Sequence, residues 1–210
     1  MVSLENPTMT NTIKHILIYV AACICCTACT ITDPEADPLQ DINSVFLGTQ
    51  ILDFKSAKLT ITGPANITSV NSHVRARLDL SSEDVFQEPF PENSRGMSIQ
   101  LYSVNNGFDL PKFPLENGTY DVFPSEGITN PDIINTLVGT SFTYGPSIGI
   151  GYNPGFGTYA NNHYSSSGAI QIVFDVKNSR VKLTYDYLTS GGTRVSGSNN
   201  LPLNLGSFTP

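Results

Sequence analysis

Residues 151–168 read GYNPGFGTYANNHYSSSG, and no other part of the chain has this composition. Tyr152, Phe156, Tyr159, His163 and Tyr164 are set apart by Gly, Asn and Ser with almost no charge. Flat rings can stack on the apolar face of a pyranose, and the amides of Asn153, Asn161 and Asn162 can pair with its hydroxyls. Tyr, Asn, Gly and Ser are also the letters of antibody contact loops. The segment is therefore a candidate ligand surface, with Tyr152, Asn153, Phe156, Tyr159, Asn161, Asn162 and Tyr164 as its binding residues. A plainer use fits the same letters: rings folded back over an open sheet end, with Gly permitting the turns. Ile148, Ile150 and Tyr152 alternate with Gly149 and Gly151, so the front of the stretch also reads as a strand.

Catalytic chemistry has less to stand on. Only His73 and His163 lie beyond the N-terminal segment, and His73 falls on the polar face of an alternating strand, where a solvated imidazole is the ordinary outcome. Glu83, Asp84, Glu88, Glu92, Glu116, Asp121 and Glu126 could supply a glycosidase-type carboxylate pair. Their surroundings single none of them out. The Gly-rich IGIGYNPGFG is followed by no helix on which a phosphate could sit. Cys23, Cys25, Cys26 and Cys29 are the only cysteines, and no further Cys or His follows nearby to complete a metal site. The chain reads as a non-enzyme with no cofactor and no metal.

Those cysteines carry a different message. Lys14 and His15 precede an apolar run over residues 16–28, then small residues, then acidic and proline-rich chain. This is the layout of a secretory signal, and the run is shorter than the ~20 residues of a membrane span. Met9 is an alternative start to Met1. A cysteine after an apolar run and a small residue resembles the lipobox of bacterial lipoproteins. CTAC at 26–29 and VAAC at 20–23 both fit, with Cys29 preferred as the lipid-attachment residue and Cys23 the alternative. Diacylation plus an amide-linked chain supplies the two or more hydrophobic anchors that stable attachment requires. Asp33, Glu35, Asp37 and Asp41 with Pro34 and Pro38 then form an extended tether. The expected organisation is a signal over 1–28, a tether over 29–43 and a single domain over 44–210.

Charge narrows the partners. With 11 Lys plus Arg against 18 Asp plus Glu, the net charge is −7, which opposes binding to a phosphate backbone. Charged residues make up 14% of the chain, against a typical share of about 25%, so uncharged polar side chains must cover much of the surface. The expected partners are a membrane, through the lipid anchor, and an extracellular glycan or partner lipoprotein. Nucleic acid is not expected.

The elements that must position these residues have a period of two. HVRARLDL sets Val74, Ala76, Leu78 and Leu80 against His73, Arg75, Arg77 and Asp79, the pattern of a half-buried antiparallel strand. AKLTIT points Leu59 and Ile61 inward, and MSIQLYS does so with Met97, Ile99 and Leu101. In AIQIVFDV the inward set is Ile170, Ile172, Phe174 and Val176; after a KNSR turn it is Val181, Leu183, Tyr185 and Tyr187. A second turn at SGGT leads to Leu201, Leu203 and Leu205. One helix interrupts, with Asn130 as N-cap, Pro131 at its first position and Gly139 past its end. Short strands punctuated by Gly, Pro, Asn and Ser predict an all-β protein, an antiparallel β-sandwich of Ig-like or jelly-roll-like type with one short helix; the alternative is a β-barrel.

LPKFPLENGTYDVFP followed by SGAIQIVFDVKNSRVKLTYDYLTSGGTRVSGSNNLPL resembles the uncharacterised β-sandwich surface lipoproteins of gut Bacteroidetes. Leu115, Gly118, Thr119 and Tyr120 carry the first part of the likeness; Gly168, Ile170, Ile172, Val181, Leu183, Gly197 and Leu203 carry the second. Acidic residues after the lipobox also resemble the surface-export signal of that group. The resemblance implies an outer-membrane lipoprotein displayed at the cell surface, and it carries no catalytic residues.

Overall fold

The computed structural model describes residues 44–84, 86, 89–105, 113–124 and 131–206. The signal, both candidate acylated cysteines, the tether, Glu88 and Glu126 lie outside the described residues.

Ten strands account for most of the described chain: β1 Ser44–Leu47, β2 Gln50–Asp53, β3 Ser56–Ala65, β4 His73–Ser81, β5 Arg95–Val104, β6 Gly118–Phe123, β7 Phe142–Asn153, β8 Thr158–Asp175, β9 Arg180–Thr189 and β10 Arg194–Leu205. Helix α1, Pro131–Thr136, lies in sequence between β6 and β7. The all-β class expected from the alternation is what the structure has.

The strands join in one mixed sheet in the order β2-β1-β10-β3-β4-β5-β7-β6-β8-β9, with further pairings of β9 to β10 and β7 to β8. Most pairs are antiparallel; β10 with β3 and β6 with β7 are parallel. A parallel pair needs a crossover rather than a tight turn, and the segment holding α1 is that crossover for β6 and β7. β10 pairs with β9 along one edge and with β1, then β3, along the other. The pairing thus returns on itself, but short β6 and the β1–β2 hairpin interrupt it, and it is not a regular barrel. β8, β9 and β10 follow one another antiparallel, as the C-terminal pattern predicts.

Inward residues of the alternating strands make the core. Val74, Ala76, Leu78, Leu80, Met97, Ile99, Leu101, Ile170, Ile172, Val181, Leu183, Tyr185 and Tyr187 are all buried in one cluster, each large aliphatic side chain contributing about 1.5–3 kcal/mol. Two inward assignments fail at strand ends. Leu205 is exposed, and Val176 belongs to a 3-10 turn that follows β8, where its side chain only partly covers the core.

His73 is a correction on the other face: it is 1% exposed, not solvated. A second, smaller cluster around Tyr102, Leu137 and Phe142 covers this end of β4. The His73 ring meets Phe142 edge-on at 5.4 Å. Its Nε2 lies 3.0 Å from Thr140 O and its Nδ1 lies 2.9 Å from Ser72 Oγ. A carbonyl only accepts, so Nε2 carries the hydrogen. Ser72 Oγ already accepts from the N–H groups of Ile67 and Thr68, so its own hydrogen goes to Nδ1.

Candidate functional site

On the outer face of β4, β5, β7 and β8, the register lines up two rows of side chains. Asp79, Ser98, Ser147 and Tyr164 are successive cross-strand partners; so, two residues along, are Ser81, Gly96, Gly149 and Asn162. Ser98, Ser147, Gly96 and Gly149 are small, so the middle of the first row sinks below Asp79 and Tyr164, and the second row stays low from Ser81 as far as Asn162. β7 is bulged here: its register against β5 shifts between Ser98 and Gln100, beside Gly145 at φ 50° and Pro146, which has no N–H to give the ladder.

Tyr159 fills part of the trough. An added Cβ on Gly149 would fall inside the Tyr159 ring, and one on Gly96 would meet the Tyr159 hydroxyl. The ring therefore lies across the two bare glycines. Tyr152 packs edge-on against it at 5.2 Å, Phe90 meets Tyr152 at 5.5 Å and Tyr159 at 6.3 Å, and Phe86 meets Phe90 at 5.4 Å. Lys58 Nζ lies 5.5 Å from the centre of the Phe86 ring. The loop that presents Phe90 is tied to the end of β7, since Asn93 N donates to Tyr152 O and Tyr152 N donates to Ser94 O.

What remains is a cleft of about 90 Å³ lined by Arg77, Asp79, Ser98, Ser147, Asn162 and the rings of Phe90 and Tyr159, among others. Arg77 Nε donates to Asp79 Oδ1 at 2.8 Å; the Asp79 side chain is 8% exposed and that of Arg77 58%. Asp79 is thus a second polar strand residue that is covered rather than solvated. Burial pushes the Tyr159 hydroxyl up to about 12, with Tyr152 and Asp79 adding to the rise and Arg77 opposing it. The neutral phenol is held at the cleft wall. The cleft offers hydroxyl, amide, carboxylate and guanidinium groups beside aromatic carbon, with its two charges paired.

Of the seven residues expected from the sequence, the structure brings three to this place: Tyr152, Tyr159 and Asn162. Phe156 sits in the β7–β8 turn, 81% exposed and apart from the cleft lining. Asn153 serves the same turn, its Oδ1 accepting from Gly155 N at 2.9 Å. Asn161 pairs with Ile150 and does not line the cleft. Tyr164 stands beside Ser147 on the flank, 52% exposed. The front of the segment is indeed strand, and the segment as a whole is the β7–β8 hairpin.

Arg77, Asp79, Phe90, Ser98 and Ser147 were not legible from the hairpin. Ser147 did have a signal: Gly145, Ser147 and Gly149 stand in Gly-x-Ser-x-Gly spacing. In a hydrolase that spacing makes a strained strand-to-helix elbow, whereas here Ser147 is inside β7, paired on both sides.

The candidate carboxylates are dispersed. Asp84 pairs with Lys55 at 3.4 Å, and Glu83 accepts from Ser82 Oγ. Glu116 and Asp121 border a separate groove of about 300 Å³, where Ser141 Oγ donates to Glu116 Oε2 at 3.3 Å. Among the described residues no group of three or more His, Cys, Asp or Glu converges on a metal position. Comparison with known protein families, with curated proteins and with solved structures finds no match.

Proposed function

We propose that this chain is a non-catalytic binding module for a neutral glycan, held at the cell envelope by the lipid anchor expected at Cys29 or Cys23. The cleft between Asp79 and Asn162 carries this reading. Two half-buried rings, two serine hydroxyls, an amide and an internally paired Arg–Asp couple match a ligand that is apolar on one face and hydroxylated at its rim. An anionic ligand would want an unpaired guanidinium. A hydrolase would want a base beside Ser147, and His163 stands opposite Ile148 on the neighbouring register row instead. Glycan-array binding by the full-length protein in detergent, beside Tyr159→Ala, tests the reading. Binding that is lost in the folded variant is expected; a folded wild type that captures no glycan refutes it. Mass spectrometry of the membrane-extracted protein tests the anchor, with a diacylated or triacylated Cys29 or Cys23 expected at the new N-terminus.

A second reading, a structural or adhesive lipoprotein, has one observation in its favour. β2 pairs only with β1 among the described residues, and the cross-strand pair Phe46 and Ile51 is exposed on that hairpin. Such an edge can accept a strand from another chain. Concentration-dependent assembly in sedimentation, abolished by Ile51→Lys, would favour it over the glycan reading.

A further inference from the structure

We infer that the cleft reads a single sugar residue at a chain end and does not accept the interior of a polysaccharide; this rests on the glycan reading above. The argument is one of boundaries. The open floor is one row deep, Ser98 and Ser147, with the covered Asp79 at its end. On one side of it the next row is roofed, because the Tyr159 ring lies over Gly96 and Gly149 with Tyr152 and Phe90 packed on that ring. On the other side the next row is Arg77, Gln100 and Tyr144, of which Arg77 lines the cleft, its Nε bonded to Asp79, while Gln100 bonds Tyr102 and Tyr144 packs on the second cluster. Rows on one face of a strand recur every two residues, roughly 6.8 Å, and neighbouring strands lie about 4.8 Å apart.

The trough is therefore bounded along the strands by the Tyr159 ring at one end and by Arg77 at the other, with an opening about one ring wide. Its volume of about 90 Å³ is well under the roughly 300 Å³ at which ligand pockets ordinarily begin. A polysaccharide binder needs the opposite shape, an open groove in which successive rings meet successive platforms. Here the polar groups converge on one ring's worth of hydroxyls: the Asp79 carboxylate and the Ser98 and Ser147 hydroxyls from the floor, and the Asn162 amide from the flank.

The test is calorimetric titration of the full-length protein in detergent with the methyl α-glycosides of glucose, mannose and galactose and with the linear trimer and hexamer of each. The expected result is that one glycoside binds and that its hexamer binds within about twofold per chain end. Asn162→Ala should weaken monomer and hexamer alike by about tenfold, and Phe156→Ala should change neither. An affinity that climbs more than tenfold from monomer to hexamer would overturn chain-end recognition while leaving the glycan reading standing. If no glycoside and no oligomer binds the folded protein, the glycan reading itself is overturned and this inference with it.

Discussion

The Tyr159 ring occupies the space that a side chain on Gly149 would need. Gly149 lies inside a strand, where glycine ordinarily weakens pairing, and an aromatic ring laid over it restores the lost packing. Gly149→Ala is accordingly expected to push the ring off its seat and destabilise the fold by about 1–3 kcal/mol. In a Tyr159→Ala background the same change should cost almost nothing. Urea unfolding of the two single variants and the double variant checks this, and a coupling energy near zero would show that the two residues do not share the site.

Binding should separate the cleft from the hairpin turn. Asp79→Asn keeps the shape of the side chain and an acceptor oxygen for Arg77 Nε but removes the carboxylate charge from that bond, so the cleft gains an uncompensated positive charge. A loss of at least about tenfold in glycan affinity is expected, equivalent to ~1.4 kcal/mol. Phe156→Ala, at an exposed ring outside the cleft lining, should leave affinity unchanged. Titration of both variants with the glycan that wild type captures decides the matter; equal losses would put recognition back on the turn.

Burial of His73 makes a stability prediction. His73→Phe keeps most of the ring but strands Thr140 O and Ser72 Oγ, a loss of about 1–3 kcal/mol. His73→Ala adds a cavity beside Phe142 and should cost about 2–4 kcal/mol. Chemical denaturation that ranks Ala below Phe below wild type is the expected outcome. A solvated histidine would give two variants indistinguishable from wild type.

The contrast between His73 and Val74 explains what the sequence could and could not reveal. Alternation tells which face of β4 a residue takes, and Val74, Ala76, Leu78 and Leu80 duly point into the core. It does not tell what covers the second face, and His73 and Asp79 are buried by chain from elsewhere, Thr140 and Phe142 in the first case and the cleft side chains in the second. The candidate site divides along the same line. Tyr152, Tyr159 and Asn162 share one hairpin, so their proximity is local and readable. Arg77 and Ser98 join them only through the β4–β5 and β5–β7 registers, which depend on pairing between distant segments. Phe156 stands outside the cleft: ring chemistry identifies a residue able to bind without fixing where its side chain goes.

Buried phenols set the alkaline limit of stability. Tyr120 and Tyr159 are both pushed up to about 12, burial being the main cause in each, and Tyr102, Tyr185 and Tyr187 are raised by the same effect. A folded-state value above the unfolded one near 10 means that the folded state binds the proton more tightly. Stability is then complete below pH 10 and falls as the pH climbs from 10 through about 12. Absorbance titration at 295 nm should show these phenols ionising late in the folded protein, and the urea midpoint should drop across the same interval. The individual hydroxyls differ in what their removal does. Tyr120 OH donates to Glu116 O at 2.7 Å, so Tyr120→Phe should cost about 1 kcal/mol at pH 7. Tyr185 OH is buried with no protein hydrogen-bond partner among the described residues, so Tyr185→Phe removes a desolvated group and should be neutral or stabilising. Thermal melts at pH 7 test the pair, and a Tyr185→Phe variant less stable than Tyr120→Phe would mean that the Tyr185 hydroxyl is bonded within the core after all.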